Sequence, residues 1–179
     1  MRNHYRVTKY DPSFRDANGA FLRGDWTSYS DIGRIYSGTP LSESEYLVVE
    51  SAYLLSVEEF LREAGIETLQ LRGLENNTRR VLPQFIQPLA LLSISQCVEF
   101  ARIALREVAW GKLVAPGRAC VHFGYDYYMY LGLPTKCPMA IAAAHARGLF
   151  VERFRSPYLR ERSNDAVQGP LRDKAEQRP

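Results

Sequence analysis

The stretch from residue 42 to 64 leaves this chain the fewest options. Ser42 followed by Glu45 makes a capping box, in which each side chain satisfies the other residue's unpaired backbone N–H. Leu41 and Tyr46 are spaced for a hydrophobic staple, and Gly65 supplies a left-handed stop. Between these signals Tyr46, Val49, Tyr53, Val57, Phe60, Leu61 and Ala64 recur at spacings of three and four. The result is a long helix with one apolar stripe, which the rest of the chain must cover.

Short alternating runs predict that the cover is a sheet. Residues 5–10 read as a first strand, ended by Asp11-Pro12 because proline cannot donate to a ladder. Residues 66–71 and 149–154 alternate likewise, and Lys112, Leu113 and Val114 add a short strand. Ser93 with Gln96 repeats the capping box and opens a second helix through Cys97, Ala101, Ala104, Leu105 and Val108, with Gly111 as its stop. Pro138 starts an alanine-rich third helix ending near Gly148. The loop from 13 to 40 holds Phe14, Phe21, Trp26 and Tyr29, side chains that suit a segment packed on the core, with Ser30 or Asp31 capping a short turn. Pro83 and Pro88 interrupt the stretch from 73 to 88. The order predicts an α+β fold, a single domain with a mainly antiparallel sheet, about three helices packed on one face, and the other face open to a partner. That domain covers residues 1–158, with fraying from Ser156 and a flexible charged tail over 159–179.

A second feature is the tyrosine-rich run from Phe123 to Gly132. Residues 118–123 favour strand, and Gly124-Tyr125-Asp126 is short enough to reverse the chain. Alternation places Tyr128 and Tyr130 outward and Tyr127, Met129 and Leu131 inward.

Charge is unevenly spread. Residues 42–67 hold seven acids against one base, Arg62, whereas residues 68–120 hold seven bases and three acids. A net charge of +3 is too small to argue for a polyanion partner. Three cysteines, Cys97, Cys120 and Cys137, with no CxxC pair, suit a reduced cytoplasmic chain, and no stretch is long and apolar enough to span a membrane. His4, His122 and His145 lack metal-ligand spacing, so no metal or cofactor is expected. Cys120 and His122 share a strand face and would suit a small hydrolase, although a buried thiol beside an ordinary strand histidine is the simpler reading. Arg72, Arg79, Arg80, Arg102, Arg106 and Arg118 beside stacking tyrosines would suit a nucleic-acid-binding or regulatory module, the alternative function. The acidic helix and a hairpin without Lys or Arg argue instead for a basic protein partner. The candidate partner-binding residues are Asp31, Glu43, Glu50, Glu59, Tyr125, Asp126, Tyr128 and Tyr130, with no catalytic residue among them.

Four stretches in order, Tyr10 with Asp11-Pro12-Ser13-Phe14-Arg15-Asp16, Asp25-Trp26-Thr27-Ser28-Tyr29-Ser30-Asp31-Ile32-Gly33, Leu41-Ser42-Glu43-Ser44-Glu45-Tyr46 and Phe123-Gly124-Tyr125-Asp126-Tyr127-Tyr128-Met129-Tyr130, resemble a family of small bacterial immunity proteins. Such proteins are encoded beside polymorphic toxins, including those of contact-dependent growth inhibition systems. The resemblance spans residues 4 to 158. It implies a cytoplasmic, non-enzymatic protein that binds the C-terminal toxin domain of its own system, commonly a nuclease with a basic active face, and blocks it. It transfers no binding residue, because immunity interfaces diverge with their toxins.

Overall fold

The computed structural model describes residues 1–78, 80–124 and 126–159. Three helices, α1 (Glu43–Glu63), α2 (Ile94–Leu105) and α3 (Pro138–Ala146), pack on one side of a seven-stranded sheet. The strands of that sheet are β1 (Asn3–Thr8), β4 (Thr68–Asn76), β5 (Leu91–Ser93), β6 (Ala109–Ala115), β7 (Ala119–Phe123), β8 (Met129–Leu133) and β9 (Phe150–Arg153). They run in the order β5-β4-β6-β7-β8-β1-β9, every neighbour antiparallel. A two-stranded ribbon of β2 (Ile35–Tyr36) and β3 (Thr39–Pro40) precedes α1. The expected α+β architecture is therefore the one observed.

Cross-strand register explains which residues are buried. Leu71, Leu113, Val121, Leu131 and Tyr5 lie opposite one another across five strands, and together they face the helices. The next row, Arg72, Lys112, His122, Tyr130, Arg6 and Glu152, lies on the other face. Both capping boxes form as expected, at Ser42 with Glu45 and at Ser93 with Gln96.

The second face is not open as expected. Residues 10–23 cover one part of it, where Arg15 Nη1 donates to the Tyr128 hydroxyl at 2.9 Å and Tyr10 packs edge-on to Tyr128. Residues 154–159 cover another, where Tyr158 meets His122, Tyr130 and Trp110, and Ser156 is buried. Tyr130 and His122 are consequently buried. Alternation placed Tyr130 on this side, as observed; distant segments then covered it. The chain does not fray at Ser156, since the Ser156 hydroxyl lies 2.8 Å from His122 Nδ1. The flexible tail expected beyond it falls, past Leu159, outside the described residues.

Two element ends also depart from expectation. Helix α2 stops at Leu105, because Glu107 adopts the left-handed conformation at φ 59°. Its N–H then bonds Ala104 O while that of Val108 bonds Ile103 O, closing the helix as glycine usually does. Gly111 is instead a mid-strand residue of β6, where an added Cβ would lie 2.8 Å from Leu71 Cδ1. The stretch after Gly73 carries β4 on to Asn76 after a register shift between Arg72 and Glu75.

One buried polar chain joins the layers. The Tyr127 hydroxyl donates to the Tyr46 hydroxyl at 2.7 Å, and that of Tyr46 donates to Glu50 Oε1 at 3.1 Å. Glu50, 2% exposed, receives both Arg106 Nε and Nη2 at 2.7 Å. Tyr53 donates to the Tyr127 carbonyl at 2.7 Å. Replacing Glu50→Gln keeps the shape but leaves Arg106 without its counter-charge. Discounted for the partial exposure of Arg106, this is expected to lower unfolding free energy by about 2–4 kcal/mol in urea titration. A loss under about 0.5 kcal/mol would show that the pair is incidental.

Candidate functional site

Antiparallel pairing brings the end of β4, the start of β6, the β7–β8 turn and the end of α2 to one end of the sheet. There they enclose a cavity of about 680 Å³, within the range of ligand and side-chain pockets. Its wall is built from Glu75 and Asn77 after the β4 bend, Glu107 after α2, Trp110 of β6, Asp126 and Tyr127 of the turn, Thr27 of the first loop, and Tyr158.

Much of the wall is held by contacts from elsewhere in the chain. Trp110 Nε1 donates to the Phe123 carbonyl at 2.8 Å, fixing the indole, and Tyr158 packs edge-on with centroids 5.7 Å apart. Ser28 Oγ donates to Glu107 Oε2 at 2.9 Å, and Asn77 Nδ2 donates to the Glu107 carbonyl at 3.2 Å. The turn, closed where the Gly124 N–H donates to the Tyr128 carbonyl at 2.8 Å, places both Asp126 (φ 58°) and Tyr127 (φ 61°) in the left-handed region. Aspartate tolerates this and tyrosine does not. Tyr127 is kept there by its buried ring, 5.0 Å from Trp26 and 5.1 Å from Tyr53. Of six described non-glycine residues at positive φ, three (Glu107, Asp126 and Tyr127) line this one cavity. Such strain persists where surrounding structure over-determines it, and it concentrates at functional sites.

The cavity's chemistry suits a positive charge, and the chain's own Lys112 already lies over the Trp110 and Tyr158 rings, 5.5 and 5.9 Å from their centroids. Glu75, Glu107 and Asp126 contribute carboxylates, Trp110 and Tyr158 contribute ring surface, and the described lining holds no Lys, Arg, His or Cys. A guanidinium or ammonium group would meet carboxylates and π faces together.

The candidates named from sequence scatter. Asp126 is exposed and belongs to the cavity, and Glu43 is exposed on the first turn of α1. Glu50 is the buried partner of Arg106, so it is not presented to a binding partner as expected. Asp31 is buried too, accepting from the N–H groups of Thr27 and Ser28 and from Arg34. Although burial opposes its ionisation, those bonds and the Tyr36 hydroxyl hold its carboxyl below the usual range. Glu59 makes a two-pronged pair with Arg147. Tyr128 is half-buried under Arg15 and Tyr130 is buried, so neither offers its ring to a partner. Tyr125 lies outside the described residues. Sequence reasoning missed Glu75, Glu107, Trp110 and Tyr158 as a group, since only the strand order brings them together.

The other chemical candidates resolve differently. Cys120 and His122 share a sheet face, but burial pushes the Cys120 thiol up to about 11 and the His122 ring bonds Ser156. That is the reverse of an activated thiolate. All three cysteines are unpaired and buried. Of the arginines, Arg102 and Arg106 are tied to Glu99 and Glu50, and Arg79 lies outside the described residues. Among the described residues no group of three or more His, Cys, Asp or Glu is placed to hold a metal ion, and no helix is long and apolar enough to cross a membrane. No protein-family model matches the chain, and no curated protein or solved structure matches it significantly.

Two consequences can be measured. Burial, with Lys112 adding to it, pulls the His122 imidazole down to about 4, whereas the unfolded ring titrates near 6.5. The unfolded chain therefore takes the proton first, so stability is full above about pH 6.5 and falls as pH drops toward 4, by about 3 kcal/mol for this group. Denaturant midpoints across that range are expected to slope in the wild type and to flatten in His122→Gln; equal slopes would remove His122 as the cause. Separately, Glu107→Gly relieves a left-handed non-glycine residue while losing the Ser28 bond. Its stability is expected to stay within about 1 kcal/mol of wild type. A loss beyond about 3 kcal/mol would mean that the side chain is held for folding alone.

Proposed function

We propose that the chain is an immunity protein that binds and neutralises the C-terminal toxin domain of a contact-dependent inhibition or related system, in the cytoplasm and without catalysis of its own. The observation that carries the reading is the strained cavity, whose described lining joins three carboxylates to two aromatic rings and has no basic residue. A nuclease toxin holds phosphates with Arg and Lys, and a side chain of that kind fits this receptor. The resemblance of the first loop, α1 and hairpin to immunity proteins supports the same reading. Blocking follows by competition: a basic side chain seated between Glu75, Asp126 and Trp110 is withdrawn from the nucleic acid.

The acids of α1 contribute less than their number suggests. Glu58 pairs with Arg62, Glu59 with Arg147 and Glu50 with Arg106, and Glu63 accepts from the first N–H groups of α3. Most of the helix's negative charge is therefore matched within the fold, while Glu75 and Asp126 stand at the cavity with no described ion pair.

Co-expression with the toxin domain encoded beside this chain tests the proposal. The wild type is expected to restore growth and to co-purify with the toxin. Glu75→Lys combined with Asp126→Lys is expected to weaken the complex at least about tenfold and to reduce the salt dependence of association. Failure of folded wild type to protect would end the immunity reading. Full protection with unchanged kinetics in the double variant would instead move the interface away from the cavity.

A further inference from the structure

Most of the fold's cations have an internal partner. Eight of the described Lys and Arg side chains form ion pairs with described acids. Arg2, Arg118, Lys136, Arg153 and Arg155 form none among the described residues, and all five are exposed.

Strand order gathers these five at one end of the sheet. The start of β1, the β6–β7 turn, the end of β8 and the end of β9 meet there, opposite the end that carries the cavity. The Met1 nitrogen donates to the Gly117 carbonyl at 2.8 Å, beside Arg118, and the Arg2 N–H donates to that of Leu133 at 3.1 Å. The Tyr5 hydroxyl donates to the Lys136 carbonyl at 2.7 Å, and Tyr5 lies opposite Arg153 in the sheet. The Phe154 N–H donates to the His4 carbonyl at 3.2 Å, and burial, with the Arg155 charge adding to it, pulls the His4 imidazole below its ordinary pKa. Of the acids brought to this end, Glu63 is engaged by the first N–H groups of α3, and Glu67 lies past β6, before β4. The small net charge of +3 thus conceals a separation along the strands, with carboxylates at the cavity and unmatched cations at the far end.

We infer that this far end of the sheet binds a single-stranded nucleic acid through its phosphates. From β7 to β9 is three interstrand steps, about 14 Å, a length that takes about four phosphates at 3.4 Å each. Phe154, 40% exposed between Arg153 and Arg155, offers a ring on which an unpaired base can stack. A lipid surface fits less well, because the exposed apolar side chains at this end, Phe154 against Tyr130 and Met139 on α3, lie on opposite faces of the sheet. The inference does not rest on the proposed function.

Fluorescence anisotropy of the full chain with a labelled thymidine oligonucleotide of about 20 residues tests it. The Kd at physiological salt is expected between about 1 and 100 µM, and log K is expected to fall with log salt at a slope of about −3, as four phosphate contacts require. Arg118→Glu with Arg155→Glu is expected to weaken binding at least about tenfold. Arg72→Glu with Arg80→Glu, the same charge change at exposed positions elsewhere in the chain, is expected to alter it less than about twofold. Absence of binding below about 100 µM, equal losses in the two variants, or equal affinity for a duplex of the same length or for phosphatidylserine vesicles would each overturn the inference. All four substituted side chains are exposed, and matching urea midpoints check that both variants are folded.

Discussion

The Glu50 carboxylate is the constraint on which the rest of the structure depends. An ion this far from water costs several kcal/mol unless its lone pairs are matched. Here they are matched by a two-pronged Arg106 and by the hydroxyl of Tyr46. Those partners come from different elements: Glu50 and Tyr46 from α1, Arg106 from the end of α2, and Tyr127, one bond further on, from the hairpin turn. A single buried charge thereby fixes two helices and a turn relative to one another. It also fixes the cavity wall, since Glu107 and Asp126 are the immediate neighbours of Arg106 and Tyr127.

This dependence explains the backbone of the hairpin. A tyrosine at φ 61° is unfavourable in isolation. It is retained because the left-handed turn drives the ring between Trp26, Tyr46 and Tyr53, where it gains area and two hydrogen bonds. The tyrosine cluster is thus mainly internal. Tyr127 belongs to the helix side, and Tyr130 to the second face under the strap of residues 154–159. That strap rests on His122 through Ser156 and delivers Tyr158 to the cavity. The core of the second face and the cavity wall are parts of one packing arrangement.

How much was legible in the sequence follows the range of the interactions. Helix starts were legible because Ser42 with Glu45 and Ser93 with Gln96 act across three residues. The end of α2 was not, because Glu107 occupies the position that glycine usually marks, while Gly111 serves close packing against Leu71. Alternation sorted the tyrosines by sheet face, yet it carries no information about what covers a face. The acids of α1 read as a face for a basic partner because several of their own partners are remote, as with Glu59 and Arg147, 88 residues apart. The cavity had no local signature: Glu75, Trp110, Asp126 and Tyr158 are strangers in sequence, and the strand order makes them neighbours.

That strand order also sets a timetable. The first strand, β1, lies between β8 and β9, with Asn3 opposite Leu133 and Tyr5 opposite Arg153. During synthesis the amino-terminal strand has no edge to join until about 130 further residues have emerged, roughly 6–26 s at ordinary elongation rates. Until then four of the seven strands, β5-β4-β6-β7, can form around α1 and α2, but the β7 edge stays without its neighbour. Completion falls to the last strands translated, so a nascent chain truncated before β8 would hold both helices of the core and still lack the native sheet.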